Sequence, residues 1–241
     1  MTFAPEFVPR PDRGRRFTHR RLVRLSDAGP DAVLRLDGVA RYLQDVATDD
    51  WADSGLDPGD TWVVRRTSVR VPTGGRWPAL GEEVALVTWC GGVGPAWAER
   101  RTDLEVGGRI VVETVALWVP LDTSGRPQRL GERFHDVYGG TTGGRKISGR
   151  LHVPPIPPAV TRRTWSTRQA DLDIVGHVNN AAAWAAVTEV VPQGVTEATV
   201  SHHGPLASGE EVALVTAPGQ AWLVADGQIR LSASFSCGDF T

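Results

Sequence analysis

The hydrophobic positions Leu36, Val39, Ala40, Leu43, Ala47 and Trp51 recur at the spacing of a helix with one buried face, and Gly55 supplies a stop. A short run before them, residues 20–25, can form a strand. After them come TWVVRRTSVRV, EEVALVTW, AWAERRTDLEV and RIVVETVALWV. These runs are rich in β-branched and aromatic residues and separated by Gly/Pro turns, so they predict consecutive antiparallel strands. The order then recurs. A strand near 160–167 leads through a loop to a predicted helix over 178–191, which Pro192 and Gly194 end. VTEATVSHH, EEVALVTA, AWLVADG and QIRLSASFS follow as strands. Between the halves, over 123–158, periodicity vanishes and Gly and Pro are dense (GGTTGGRK, HVPPIPPA), the composition of a linker.

The recurrence extends to identity: GEEVALVT stands at residues 81–88 and again at 209–216. Such self-similarity marks a duplicated unit. Each copy reads as a strand, a central helix, then a run of antiparallel strands. That predicts an α+β chain with a tandem (double) hotdog fold, in which each half wraps a curled antiparallel sheet around a long helix. AAAWAAV in the second helix leaves no broad polar face, as burial inside a sheet requires. The expected organisation is an N-terminal hotdog domain over 16–122, the linker over 123–158 and a C-terminal hotdog domain over 159–237. A chain with two copies can build within itself the pair that single hotdogs make by dimerising. Whether this pseudo-dimer associates further stays open.

Composition changes this picture little. The 241 residues are 41% hydrophobic and 22% charged, as in ordinary globular proteins. No apolar run approaches the ~20 residues of a membrane helix. The start, MTFAPEFVPRPDRGRR, lacks the apolar segment of a secretory signal, so a cytoplasmic address is expected. Cys90 and Cys237 fit neither a disulfide framework nor a CxxC metal site and are expected to be reduced. The net charge of −2 hides a crowd of arginines at 10, 13, 15, 16, 20, 21 and 24. They read either as a solvated tail with an exposed strand face, or as a surface for an anionic partner.

The second half differs from the first at RQADLDIVGHVNNAAAW, residues 168–184. The matching place in the first half, SDAGPDAVLRLDGVARYLQDVA, has acids but no histidine and no paired asparagines. Here the chain resembles the acyl-acyl-carrier-protein (acyl-ACP) thioesterases. The match includes Asp27, Gly29 and Asp31, then Leu43, Gln44, Asp45 and Ala47, the Trp62-Val63-Val64 run and Trp118-Val119. In the second half it is the DLDxxxHVNN pattern at 171–180, and it covers about residues 16–236. The resemblance implies hydrolysis of a fatty acyl-ACP to free fatty acid, with no cofactor, and with the phosphopantetheine arm of an acyl carrier protein as partner. An acyl-CoA or aryl-CoA thioesterase on the same fold, or a non-catalytic acyl-binding protein, are the alternatives.

Thioester hydrolysis needs an attacking water or carboxylate, and donors aimed where charge develops on the carbonyl oxygen. Asp173, just before the predicted helix, is placed as base or nucleophile, or else as a turn carboxylate. His177 can orient the water or share its proton, since a histidine titrates near neutrality, or it can cap and pack. A helix start carries unpaired N–H groups and a positive dipole end. The backbone amides of Gly176, Val178, Asn179 and Asn180 are therefore the expected oxyanion donors, with Asn179 and Asn180 also good capping residues. Asp171 reads as a loop-holding carboxylate.

Two departures from the plant members stand out. Their catalytic asparagine, two residues after the second aspartate, is Val175 here. Their Glu-Cys pair after the helix is absent, and His202 and His203 stand nearby, read as strand-face residues or as site members. Because an acyl carrier protein is acidic, Arg15, Arg16, Arg20 and Arg21 are the expected docking cluster. No phosphate loop opens a helix, no GxSxG surrounds a serine, and His135 and His152 lack metal-ligand spacing. No nucleotide, nucleic acid or metal is expected.

Overall fold

The two copies of GEEVALVT fold into equivalent strands, β3 (Glu83–Gly94) and β8 (Val212–Ala217). The computed structural model describes residues 5–57, 59 and 61–238. In chain order its other strands are β1 (Phe17–Leu22), β2 (Thr61–Arg70), β4 (Trp97–Val106), β5 (Arg109–Leu121), β6 (Thr161–Trp165), β7 (Val195–His202), β9 (Gln220–Ala225) and β10 (Gln228–Cys237). Among these residues they make one sheet of 10 strands in the order β1-β3-β4-β5-β2-β7-β10-β9-β8-β6. Outward from β2 run β5, β4, β3 and β1; outward from β7 run β10, β9, β8 and β6. The same topology is thus built twice and joined at β2–β7, where Arg66 lies opposite Ser201 and Arg70 opposite Glu197. This is the expected tandem hotdog.

The helices are α1 (Leu36–Asp53), α2 (Glu132–Tyr138) and α3 (Asn180–Thr188). Leu36, Val39, Leu43 and Ala47 of α1 are buried, as their spacing predicts. Leu36, Val39 and Leu43 share one core with Trp184, Ala186 and Val187 of α3, whose alanines let the two helices lie against each other. No helix among the described residues is long and apolar enough to cross a membrane.

Three expectations are corrected. The second helix is shorter than 178–191. Asn179 is its N-cap, its side chain accepting the Ala181 N–H at 2.8 Å, so Val178 lies in the approaching strand-like loop. The 123–158 segment is not a bare linker. It contains α2, too short for periodicity to reveal, which buries Phe134 and Tyr138 against Trp51 and Trp62. The first strand begins at Phe17 and ends at Leu22, earlier than 20–25.

The N-terminal arginines are largely consumed by the fold. Arg10 bonds Asp103 and Glu105 on the outer face of β4. Arg15 turns the other way and reaches Asp50 and Asp53 on α1. Arg20 pairs with Glu83 at 2.8 Å. Arg21 pairs with Asp45 and lies over the Tyr42 ring at 4.6 Å. Arg16 donates to the Pro11 carbonyl. The cluster is therefore not an uncompensated basic patch, and Arg15 is a structural residue.

Candidate active site

The loop 171–180 is held by hydrogen bonds that its sequence foreshadows. Asp171 is buried and accepts from the Arg168 backbone N–H at 2.8 Å and from the Arg168 guanidinium. Burial opposes its charge, but those bonds outweigh burial and hold its carboxyl below the usual carboxylate range. Asp173 bends the next turn: its Oδ1 accepts from the N–H of Val175 at 3.0 Å and of His177 at 3.1 Å. Its Oδ2 has no donor among the described residues, which leaves one carboxylate oxygen for other work. Gly176 sits at φ +80°, a left-handed position that costs a glycine nothing.

Three of the four expected oxyanion amides are spent inside this loop. Gly176 N–H donates to Asp173 O at 3.0 Å, Val178 N–H to Leu206 O at 2.8 Å and Asn179 N–H to Asp171 O at 2.8 Å. Only Asn180 of that set has no backbone partner among the described residues, and it is the first residue of α3. Glycine at 176 therefore serves the turn and not a close approach of substrate.

The first half contains the same loop in degraded form. Gly29 N–H donates to Val33 O, Ala32 N–H to Gly29 O, Leu34 N–H to Pro78 O and Arg35 N–H to Asp27 O. These bonds match those of Asp173, Gly176, Val178 and Asn179 one for one. Asp27 thus stands where Asp171 does, but Gly29 replaces Asp173, Val33 replaces His177 and Arg35 replaces Asn179. The Arg35 guanidinium bonds Asp37 and the carbonyls of Ala28 and Ser26. The duplication keeps two loop scaffolds, and only the second carries the aspartate, histidine and asparagine.

That set opens onto a cavity of about 520 Å³ built mostly by the other half. Gln44, Ala47, Thr48 and Trp51 of α1 form one wall, Trp62 and Trp118 of the sheet another, and Phe134 and Tyr138 of α2 a third. Asp173, Ile174, Val175, Asn179 and Asn180 line the same cavity, whereas Gly176, His177 and Val178 do not. His177 is exposed, and its neighbours Ile174 and Val175 present apolar side chains to solvent at the lip.

A buried ionic knot braces this cavity. Asp50, 1% exposed, accepts from Arg15 Nε at 2.9 Å, Arg100 Nη1 at 2.6 Å and Tyr138 OH at 2.9 Å. It ties α1, β4, α2 and the N-terminal segment together. Burial works against the Arg100 charge, but Asp50 outweighs it and raises the guanidinium above its ordinary value. Sequence reading missed this knot, since its members are far apart along the chain and none carries a motif.

Neither His202 nor His203 lines the cavity; His203 Nε2 lies 2.8 Å from Ser232 Oγ. Burial pushes the His202 imidazole down to about 4, with His203 and Arg65 pushing the same way. An imidazole in the unfolded chain titrates near 6.5, so between those values the unfolded state binds more protons. Stability from this group is complete above about pH 6.5 and is lost as pH falls toward about 4. The expected loss is on the order of 2 kcal/mol. Urea midpoints at several pH values should show this slope in the natural protein and a shallower one in His202→Asn. Identical slopes would remove His202 as the cause.

Two hotdog units joined in one sheet, with a carboxylate before the start of one helix opening on a largely aromatic groove, place the chain in the double-hotdog class. The comparisons carry the assignment to a family. The family model described as acyl-ACP thioesterase N-terminal domain matches residues 14–138, and that of the acyl-ACP thioesterase C-terminal domain matches residues 158–232. The chain belongs to the acyl-ACP thioesterase family. A Mycobacterium tuberculosis protein named only as uncharacterised is 30% identical over 215 residues, 86% of this chain and 84% of that one. A chloroplastic dodecanoyl-ACP hydrolase of Cinnamomum camphora is 28% identical over 75% of this chain and 51% of its own length. The solved 12:0-ACP thioesterase of Umbellularia californica has the same fold, with TM-score 0.75 and 20% identity over 92% of this chain and 96% of that one.

Proposed function

We propose that this protein hydrolyses fatty acyl-ACP by letting Asp173 of one hotdog act on an acyl chain held by the other. The single observation that supports this most is that Asp173 and the start of α3 line the same cavity as the aromatic side chains of the first half. In this reading the acyl chain lies among Trp51, Trp62, Trp118 and Phe134, and the thioester carbonyl rests near the Asn180 N–H. That N–H and the positive end of α3 stabilise the oxygen as it gains charge. Asp173, its Oδ1 held by two amides, takes a proton from water through Oδ2 as the water attacks the carbonyl carbon. Collapse of the tetrahedral intermediate breaks the C–S bond, and the pantetheine thiolate leaves and takes up the proton. His177, exposed beside this loop, can pass protons to solvent. Val175 provides an apolar lip in place of the plant family's asparagine. Arg16, Arg20 and Arg21 remain candidate carrier contacts, Arg20 and Arg21 weakened by their ion pairs with Glu83 and Asp45.

The test is release of free thiol from a panel of acyl-ACPs and the matching acyl-CoAs. The expected result is a higher kcat/KM for acyl-ACP at some chain length. Faster turnover of every acyl-CoA would move the carrier assignment to coenzyme A; no thiol from any substrate would remove the hydrolase reading.

A further inference from the structure

We propose that Gln44, on the helix of the first hotdog, is a catalytic residue: its side-chain N–H donates to the thioester carbonyl oxygen alongside the Asn180 amide. The proposal rests on the acyl-thioesterase reading of the same cavity and adds a residue of the first half to its chemistry.

The second half by itself leaves the developing oxyanion short of donors. Gly176, Val178 and Asn179 spend their amides within the loop, so Asn180 alone of the expected set keeps a free N–H among the described residues. A carbonyl oxygen has two lone pairs, and as it gains charge it is held best by more than one preorganised donor. A second donor has a place to stand. The large cavity and a small pocket of about 30 Å³ share four lining residues: Gln44, Arg100, Trp118 and Asn180. The small pocket has room for about two waters, so its walls lie near one another. The Trp118 Nε1 is sealed from both spaces, and Arg100 Nη1 is tied to Asp50 and Thr88. The half-buried Gln44 carboxamide has no hydrogen bond among the described residues, and neither its Oε1 nor its Nε2 is sealed away.

Its neighbours on α1 narrow the choice further. Gln44, Ala47, Thr48 and Trp51 form the face of α1 that lines the cavity, at the spacing of one side of a helix. The Thr48 hydroxyl donates to Gln44 O at 3.0 Å and the Trp51 N–H to Asp57 O at 3.0 Å, so both are spent. A face that met only an acyl chain would gain nothing from an amide at 44, since burying one without a partner costs free energy. The duplication supplies a separate argument. The matched loop bonds put Arg35 in the place of Asn179, and counting along the two helices puts Gln44 in the place of Thr188. The Thr188 hydroxyl donates to Trp184 O at 2.9 Å and is consumed inside its own helix. Gln44 shares its cavity with Asp173, and by the same symmetry Thr188 corresponds to the loop in which Gly29 replaces Asp173. The free amide and the aspartate thus occur together in one of two equivalent places, and both are missing from the other.

Gln44→Leu removes the donor and keeps a good helix former. It should lower kcat for acyl-ACP about 100-fold, the effect of losing one oxyanion donor, with KM near the natural value. Gln44→Glu replaces the donor by an acceptor, should lose as much, and serves if the leucine variant does not fold. Thr188→Val, the matched change in the other copy, should keep kcat near the natural value. Infrared spectra of acyl-ACP labelled with carbon-13 at the carbonyl, bound to Asp173→Asn, should show a lower carbonyl frequency than with Gln44→Leu added. Full kcat in a folded Gln44 variant, a change confined to KM, equal carbonyl bands, or an equal loss in Thr188→Val would overturn the proposal and leave the hydrolase reading intact. If the natural protein cleaves no thioester, the hydrolase reading fails and the spectra are compared between the natural protein and Gln44→Leu. A lower band in the natural protein then sustains the carbonyl contact, and equal bands or no bound thioester overturn it as well.

Discussion

Asp173→Asn should lower kcat for acyl-ACP by at least about 100-fold, the low end of what a positioned general base contributes. The change keeps the size of the side chain and an oxygen that can still accept from the Val175 and His177 amides, so the turn should persist. Folding should therefore be unchanged by circular dichroism and thermal melting. His177→Ala supplies the comparison. His177 is exposed and stands outside the cavity wall, so its loss should cost about tenfold at most. A folded Asp173→Asn enzyme with full turnover would take Asp173 out of the chemistry. A His177→Ala loss as deep as that of Asp173→Asn would place the imidazole on the reacting atoms.

Asp50→Ala should be the most damaging single change to stability, at about 3–5 kcal/mol in a urea titration. It would strand Arg100, whose side chain is 16% exposed, without its carboxylate and would free Arg15 and Tyr138 at once. The damage should reach function as well, since Arg100 and Tyr138 line the cavity. Any folded fraction should show a raised KM for the acyl substrate. A loss under about 1 kcal/mol would mean that water compensates the knot and that the aromatic contacts of α2 hold the wall by themselves.

Much of this architecture could be read along the chain because it is written in local patterns. The β-branched and aromatic content of EEVALVTW and its partner runs, set off by Gly/Pro turns, was enough for the strands, since such side chains pack well on a pleated surface. The spacing of Leu36, Val39, Leu43 and Ala47 similarly revealed α1. Two features misled. Val178 and Val190 continue the apolar character of AAAWAAV without belonging to the helix, because capping by Asn179 and the departure after Thr188 decide its ends. In 123–158 the Gly and Pro content concealed α2, because two turns of helix are too few for periodicity and Phe134 and Tyr138 find their partners on other elements.

The reactive loop divides in the same way. DLDxxxHVNN pointed to Asp173 as the candidate carboxylate and marked 171–180 as the approach to a helix, and the duplicated GEEVALVT announced two equivalent units; both readings are local, or are comparisons of one stretch with another. Which amides remain free depends on where Leu206 O and Asp171 O lie, and that is settled only when β7 and the loop after it pack beside 171–180. The use of the arginines was equally invisible, because whether Arg15 meets an acidic partner or Asp50 is a matter of distance in space. The cavity belongs wholly to tertiary structure: Trp62, Trp118, Arg100 and Asp173 come together only when the two hotdogs join at β2–β7 and α1 meets α3. Sequence order specifies what each segment is, through steric and hydrophobic preferences of neighbouring residues; the joining of distant segments decides which polar groups are consumed by the fold and which remain for a substrate.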